Sequence, residues 1–483
     1  MDVSTVTSNS AGAPGWQAPR SFKDLHIHMV GIGGSGMSSV AAVLVRRGAF
    51  VSGTDLLETA VLDHLRDIGV RIVPDAGANR SGERRADLVV VSAAIPADHE
   101  TLVQARRDGI PVIKYARLLG ELMRRRDGIA VSGTHGKSTT SAWLAFVLRR
   151  AGLDPTFVIG AHVEQLGGSG AAGDGPHFVA EACEFDRSFL NLHPRSAAIL
   201  NIEEDHLDCY GDLAAIVDSF RQFAASLPDD GLLVLNGHDP NCTTLADQLD
   251  GAHESFGLDP EHDWAATELS LEDGCYEFTL ARCRETFGRV RIGIPGRHNV
   301  LNALAVCALA TRAGVERGAL LDALPLFSGA QRRMQLLGCE HGVTIADDYA
   351  HHPTEIRATL EAARERFSPH RVWCVFQPHQ HSRTRRLLAE FASSFRLADH
   401  VVLPKIYRVR DTDDECVGIC AGDLVERINA QSGGAEYHAE FDEIVDSLAE
   451  SVKDGDLVMT MGAGDVWKIG NDLVQRLRSD RPH

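Results

Sequence analysis

No run of 18 apolar residues occurs in the chain, so nothing in it reads as a membrane-spanning helix. There is no C-x-x-C pair either: ten cysteines are scattered, and the nearest two are Cys416 and Cys420. Several, such as Cys307 and Cys374, lie in apolar stretches and read as buried thiols, which suits a reduced, cytoplasmic protein. Positive charge is short. Against 67 Asp and Glu stand 48 Lys and Arg, a net charge of −19 with no basic stripe, which argues against a general nucleic-acid binder. A small anionic substrate needs only a few local cations and is untouched by that balance. Residues Met1 to Arg20 are rich in Ser, Thr, Gly, Ala and Pro, lack the apolar core of a signal peptide, and read as a disordered leader. What remains is 483 residues, 44% hydrophobic and 24% charged, the composition of a soluble globular protein of two to four domains.

The stretch around which the chain is organised runs from Ile129 to Leu148. A short apolar strand enters Gly133-Thr134-His135-Gly136-Lys137-Ser138-Thr139, and an apolar-periodic helix follows. Loop amides pointing inward, and the positive end of a helix dipole, make an anion site. Lys137 supplies a point charge for outer phosphates, and the Ser138 hydroxyl suits a magnesium ion. The spacing departs from the strict P-loop, because Val131 stands where its first glycine would be. An ordinary glycine-rich turn is the bland alternative; ATP binding is the expectation.

Before this stretch, Leu25 to Ile32 leads into Gly31-Ile-Gly33-Gly34-Ser35-Gly36-Met37, a G-x-G-x-x-G turn between a strand and the helix Met37 to Arg47. A second strand delivers Asp55, 19 residues after Gly36, as a ribose ligand would be. A dinucleotide suits the turn, any nucleotide diphosphate suits it equally, and a turn with no ligand stays open. Alternating strands and helices to Arg126 make this a doubly wound α/β domain, with Ser92 at the end of its most apolar strand.

After the lysine loop come strands at Thr156 to Gly160, Phe178 to Cys183, Ala197 to Ile202 and Leu232 to Asn236. Glu181 ends one of them, which is expected to lie side by side with the strand that leads to His206. Another runs into Glu203-Glu204-Asp205-His206-Leu207-Asp208, four carboxylates around a histidine, which suit a divalent ion bridging phosphates. A solvated acidic loop is the alternative. Residues Gly251 to Val290 read as a polar, weakly periodic patch with hairpin character at Cys275 to Cys283 and Phe287 to Ile294. Asn299 opens a helix to Ala313 and could simply cap it.

A third α/β unit starts near Ser328, with Arg332 and Arg333 before a strand at Val343 to Ala346. His351, His352, His379 and His381 could be read as a zinc cluster, but no zinc-type spacing supports that, and substrate-binding or structural roles are preferred. The expected division is a leader at 1–20, then domains at 21–126, 127–327 and 328–483.

Taken together, these motifs resemble the Mur ligases over about residues 22 to 475. The resemblance is carried by the Gly133 to Thr139 loop, Asn201 to Asp208, Gly296 to Asn302, Asp347 to Glu355 and Phe376 to Thr384. It implies three α/β domains: a Rossmann-like UDP-sugar domain, a P-loop-like ATPase and a Rossmann-like C-terminal domain. It further implies an ATP-dependent ligase that joins L-alanine to the lactyl carboxylate of UDP-N-acetylmuramate through an acyl phosphate. By the same resemblance, Lys137, Glu181, His206 and Arg333 are catalytic. Ser138, Glu181 and His206 would hold magnesium, two ions in all. The Gly133–Thr139 loop, Asn299, Asn302, Arg333 and Asp348 would bind ATP. Gly33, Gly34, Ser35, Gly36, Met37, Asp55 and Ser92, with Tyr349, His351, His379 and Arg383, would bind the UDP-sugar. Three departures stand out: Ser138 for a common threonine, Met334 where an aromatic commonly follows the Arg pair, and Gln380 where the family has an arginine facing the UDP-sugar. Rival readings are a recycling ligase joining a murein peptide to the same sugar, and a non-catalytic nucleotide-binding regulator. An NAD oxidoreductase would leave the lysine loop unexplained. No nucleic acid and no membrane insertion are expected, and the oligomeric state is not legible.

Overall fold

The computed structural model describes residues 16, 18–73, 84–249, 251–409 and 411–479. Most of the expected leader therefore lies outside the described residues, as do the side chains of Leu207 and Asp208. Three sheets follow one another along the chain. The first is parallel and takes β1 (His26–Val30), β2 (Phe50–Thr54), β3 (Arg71–Ile72), β4 (Leu88–Val91) and β5 (Val112–Lys114), in the order β3-β2-β1-β4-β5. β1 is buried at every position because helices cover both faces, and its two histidines, His26 and His28, are buried with it against the Ser52 hydroxyl. The strand order reverses beside β1, so the glycine turn after it lies at the switch point where open α/β sheets take ligands.

The central sheet has ten strands: β6 (Asp127–Ser132), β7 (Thr156–Val163), β8 (Gly168–Ala171), β9 (His177–Glu181), β10 (Ser196–Ile199), β11 (Leu232–Asn236), β12 (His253–Gly257), β13 (Trp264–Glu272), β14 (Cys275–Arg282) and β15 (Glu285–Arg291). Their order is β15-β14-β13-β12-β11-β10-β6-β9-β7-β8, with parallel pairing from β7 to β13 and antiparallel edges. The helix Lys137–Arg150 leaves β6 and is buried without a break from Ser138 to Leu148, between the sheet and the helix Arg297–Arg312. A helix enclosed on all sides needs no polar face, and its Trp143 stacks on Phe327 at 5.3 Å.

The third sheet holds β16 (Gln335–Glu340), β17 (Val343–Asp348), β18 (Val372–Phe376), β19 (His400–Leu403), β20 (Ala435–Tyr437) and β21 (Leu457–Met461), ordered β16-β17-β21-β18-β19-β20. Within this sheet β16 alone runs antiparallel among the described strands.

Three expectations need correction. The stretch 251–290 is no loose polar patch: it adds β12 and β13 to the hairpin and continues the central sheet. Trp264, Phe278, Leu280 and Val290 bury one face against the core while the other stays polar. Asn299 does not cap its helix, which starts at Arg297 with Gly296 in the cap position; the Asn299 amide donates to Pro295 O at 2.6 Å. Finally, Glu181 and His206 do not end neighbouring strands. β6 separates β9 from β10, and His206 lies past the end of β10 with a left-handed φ of 52°.

Candidate functional site

The lysine loop needs its glycines. Gly133 has φ 134°, and a Cβ there would sit 3.0 Å from Leu200 Cβ; Gly136 has φ 83°, and its Cβ would meet Asn302 Oδ1 at 2.8 Å. Asn201 clamps the loop from β10, accepting from the His135 amide at 2.7 Å and donating to His135 O at 3.2 Å. Lys137 Nζ donates to Gly133 O at 2.6 Å and to Thr134 O at 3.0 Å. It is also paired with Glu184 at 3.0 and 2.9 Å. Burial alone would lower the lysine, but the Glu184 carboxylate overrides it and keeps the ammonium charged.

Lys137, Ser138, Glu181 and His206 line one cleft of about 2250 Å³ with Ser35 from the first unit. Arg333, Tyr349, His351, His379 and Arg383 of the last unit line the same cleft. Glu181 accepts from the Gly160 amide at 2.7 Å, and His206 Nδ1 is buried with no hydrogen-bond partner among the described residues. Hydroxyl, carboxylate and imidazole together form a donor set that fits a divalent ion, and the orphaned imidazole nitrogen is available to it. A second pocket, of about 990 Å³, gathers His135, Gly136, Thr139, Asn299, Asn302, Arg333 and Asp348. Arg333 thus lines both, with its guanidinium over Tyr349 at 5.0 Å. Asp348 is pushed up to about 6 by burial, against Arg333 and the amides of Met334 and Ala350. Burial drops His351 to about 4, so it faces the cleft uncharged near pH 7.

The first unit's expected ligands are placed differently. Gly33 donates its amide to Asp55 Oδ2 at 2.8 Å, so that carboxylate oxygen braces the glycine turn. The Met37 side chain belongs to the core, and Gly36 packs under Tyr115, where a Cβ would stand 2.6 Å from the hydroxyl. Ser92 lies against Gly31. Gln380 lines a smaller pocket beside Glu204, Asp205 and His206 and does not reach the large cleft. Among the described residues the four histidines form no single group of possible ligands: His351 and His379 are 6.1 Å apart, His352 lies tilted against His135 at 4.7 Å, and His381 pairs with Asp411.

The last unit docks on the acidic loop. Arg383 donates through Nε (3.2 Å) and Nη2 (2.7 Å) to Asp205 Oδ1, both side chains being buried. Burial opposes ionisation of Asp205, but the guanidinium holds its carboxyl well below the usual range. His135 touches Glu355 at 3.2 Å and Glu203 at 3.6 Å; these carboxylates outweigh its burial and raise it to about 9. Glu184, Glu355 and the Asp205–Arg383 pair are what sequence reasoning misses. Only the Glu181-x-x-Glu184 spacing offered a signal.

Comparison with known proteins bears on the same arrangement. Family models match as "Mur ligase family, catalytic domain" over residues 26–127, "Mur ligase middle domain" over 131–310 and "Mur ligase, glutamate ligase domain" over 332–464. The UDP-N-acetylmuramate–L-alanine ligase of Desulfitobacterium hafniense is 40% identical over 452 residues, 93% of this chain and 99% of its own. This chain belongs to the Mur ligase family. The Solibacter usitatus protein of the same name is 41% identical over 462 residues, 95% of this Mur ligase and 97% of its own length. Among solved structures, the UDP-N-acetylmuramate-alanine ligase from Thermotoga maritima superposes with a TM-score of 0.80 at 28% identity, over 95% of this chain and 100% of that one. A murein peptide ligase from Psychrobacter arcticus gives 0.72 at 26% identity, with coverages of 95% and 100%.

Proposed function

We propose that this Mur ligase joins L-alanine to the lactyl carboxylate of UDP-N-acetylmuramate at the expense of ATP, through an acyl phosphate. The observation that carries the reading is the single cleft in which Lys137, Ser138, Glu181 and His206 face Tyr349, His351 and Arg383. A carboxylate is a poor electrophile, and phosphorylation turns one of its oxygens into a leaving group for the amine. Lys137 neutralises charge on the outer phosphates, and Glu184 keeps that lysine charged and aimed. Ser138, Glu181 and His206 are the residues to hold magnesium, which when bound neutralises charge on the transferred group. Asn299, Asn302 and Asp348 take the nucleoside end in the second pocket, with Arg333 spanning both spaces. The first unit offers the UDP-sugar its glycine-turn amides and Ser35, in place of the Asp55 carboxylate. We divide the chain at 126/127 and 327/328 on the same grounds. No described helix is long and apolar enough to cross a membrane, and a reaction fed by ATP and a nucleotide sugar belongs in the cytoplasm.

Phosphate release with UDP-N-acetylmuramate, ATP and Mg²⁺ should be greatest with L-alanine and weaker with glycine or serine. Leakage follows because one methylene is worth only about 1–3 kcal/mol in a pocket. A preference for the murein tripeptide would assign the chain to the recycling ligases.

Nucleotide affinity should depend on Asp348. Its folded-state pKa is raised to about 6, so it is ionised above that value and loses its full acceptor strength as pH falls through it. Binding of a fluorescent ADP analogue should weaken between pH 7 and 5 in the wild type and stay level in Asp348→Asn. A wild-type profile flat over that range contradicts the assignment.

A further inference from the structure

Where the lysine loop meets the last unit, two imidazoles and a carboxylate converge on one point. His135 Nδ1 lies 3.2 Å from Glu355 Oε1 and donates its proton there. Glu355 is itself fixed by the amides of His351 and His352 at 2.9 and 3.3 Å. The other nitrogen of His135, Nε2, is buried without a hydrogen-bond partner among the described residues and faces Glu203 Oε2 at 3.6 Å. His352 mirrors it. Its Nε2 sits 3.2 Å from Glu204 O and donates to that carbonyl, which leaves Nδ1 as the lone-pair atom, 3.8 Å from the same Glu203 oxygen. That nitrogen also caps the helix Pro353–Phe367, accepting at a long 3.3 Å from the Thr354 amide and closing a capping box with Glu355, contacts that metal binding would displace. Thr354 Oγ1 steadies the carboxylate, donating to Glu203 Oε2 at 2.7 Å.

We propose that His135 Nε2, His352 Nδ1 and Glu203 form a binding site for a zinc-class divalent cation, which staples the lysine loop to the last unit. Two imidazoles and a carboxylate, with a fourth position left for water, are a zinc donor set, whereas magnesium prefers oxygen alone. Each imidazole already gives its second N–H to a carboxylate or a backbone carbonyl, the outer contact that fixes the tautomer of a metal-binding histidine. The three ligand atoms all lie within 4.8 Å of one another. A tetrahedral zinc with bonds of about 2.0–2.1 Å keeps its ligands about 3.3 Å apart, so closure on the metal takes only small side-chain shifts. The cation takes the place of the proton that the carboxylates otherwise hold on His135.

Two other groups of possible ligands are less suited. His238 Nε2 accepts from the Leu258 amide at 2.7 Å, so its proton sits on Nδ1, the atom that would have to bind. At His381, Asp411 is already engaged by the amides of His381 and Ser382 and by the Ser382 hydroxyl. His135 and Glu203 belong to the central unit and His352 to the last, so the bound cation locks them together and zinc inhibits turnover at saturating magnesium.

Cobalt reports the site directly. The metal-free full-length chain, carrying His262→Ala and Cys416→Ser to remove the other two groups, is titrated with Co²⁺ without nucleotide. The expected result is one equivalent bound, with the visible absorption of four-coordinate cobalt, displaced by Zn²⁺ and not by Mg²⁺. His352→Gln and Glu203→Gln should each weaken binding at least about tenfold. His352→Cys should retain the metal and add thiolate-to-cobalt absorption in the near ultraviolet, a gain that a misfolded variant cannot give. No binding, binding indifferent to His352→Gln and Glu203→Gln, or a His352→Cys variant without the new band overturns the proposal.

Discussion

Replacing Lys137 by alanine should cut turnover by about 10² to 10³ while leaving UDP-sugar binding almost unchanged. The lysine is buried and its ammonium is the counter-charge of Glu184, with Glu181 lining the same cleft. Without it, those carboxylates repel the phosphates that the loop amides alone must then hold. Binding of the UDP-sugar should survive, because the glycine turn after β1 belongs to another unit, and its geometry is set by Gly33, Asp55 and Tyr115. Calorimetry with the UDP-sugar, alongside ADP formation, separates the two effects. A variant that keeps more than about a tenth of the wild-type rate contradicts the role of Lys137.

Arg383→Ala should have the second-largest effect, through domain closure. Both partners of the Asp205–Arg383 pair are about 7% exposed, so the truncation leaves a buried carboxylate unpaired beside His206. Breaking such a pair costs about 3–5 kcal/mol, enough to favour separation of the last unit from the acidic loop. Hydrogen exchange should accelerate in the segments 203–206 and 379–387, while the amides of β6 keep their protection. Arg383→Lys should recover part of the effect, since one ammonium replaces two nitrogens that both reach Asp205 Oδ1. Unchanged exchange at the interface would show that the pair does not hold the closed arrangement.

How much of this is legible in the sequence follows from where each signal resides. β4 and the Ile129–Val131 stretch of β6 are buried in parallel sheets, so their apolar runs are continuous, and β1, with His26 and His28 interleaved, is marked by the glycine turn that follows it. The helix Lys137–Arg150 declares itself by the loop that opens it. By contrast, β13 turns Thr267, Glu268, Ser270 and Glu272 away from the core and reads as a polar patch, whereas the β14–β15 hairpin beside it is legible. β16 and β20 are edge strands, one antiparallel and the other three residues long, too weakly patterned to stand out. Spacing nominates Lys137, Ser138, Glu181 and His206, and the fold brings all four to the lining of one cleft. At Asp55 the spacing that suits a ribose ligand also suits a second task, since the carboxylate braces its own turn through the Gly33 amide. The pairs Lys137–Glu184, Asp205–Arg383 and His135–Glu355 join residues 47, 178 and 220 positions apart, and no local pattern encodes such contacts.

The central claim is that the carboxylate of the sugar, and not water, attacks the γ-phosphorus. Label placed as ¹⁸O in the lactyl carboxylate of UDP-N-acetylmuramate tests it most directly. With L-alanine present, one labelled oxygen should appear in the released phosphate for each amide formed, and Glu181→Ala should stop the transfer because the metal loses a charged ligand. Phosphate carrying only solvent oxygen would contradict the acyl-phosphate route and leave an ATPase in place of a ligase.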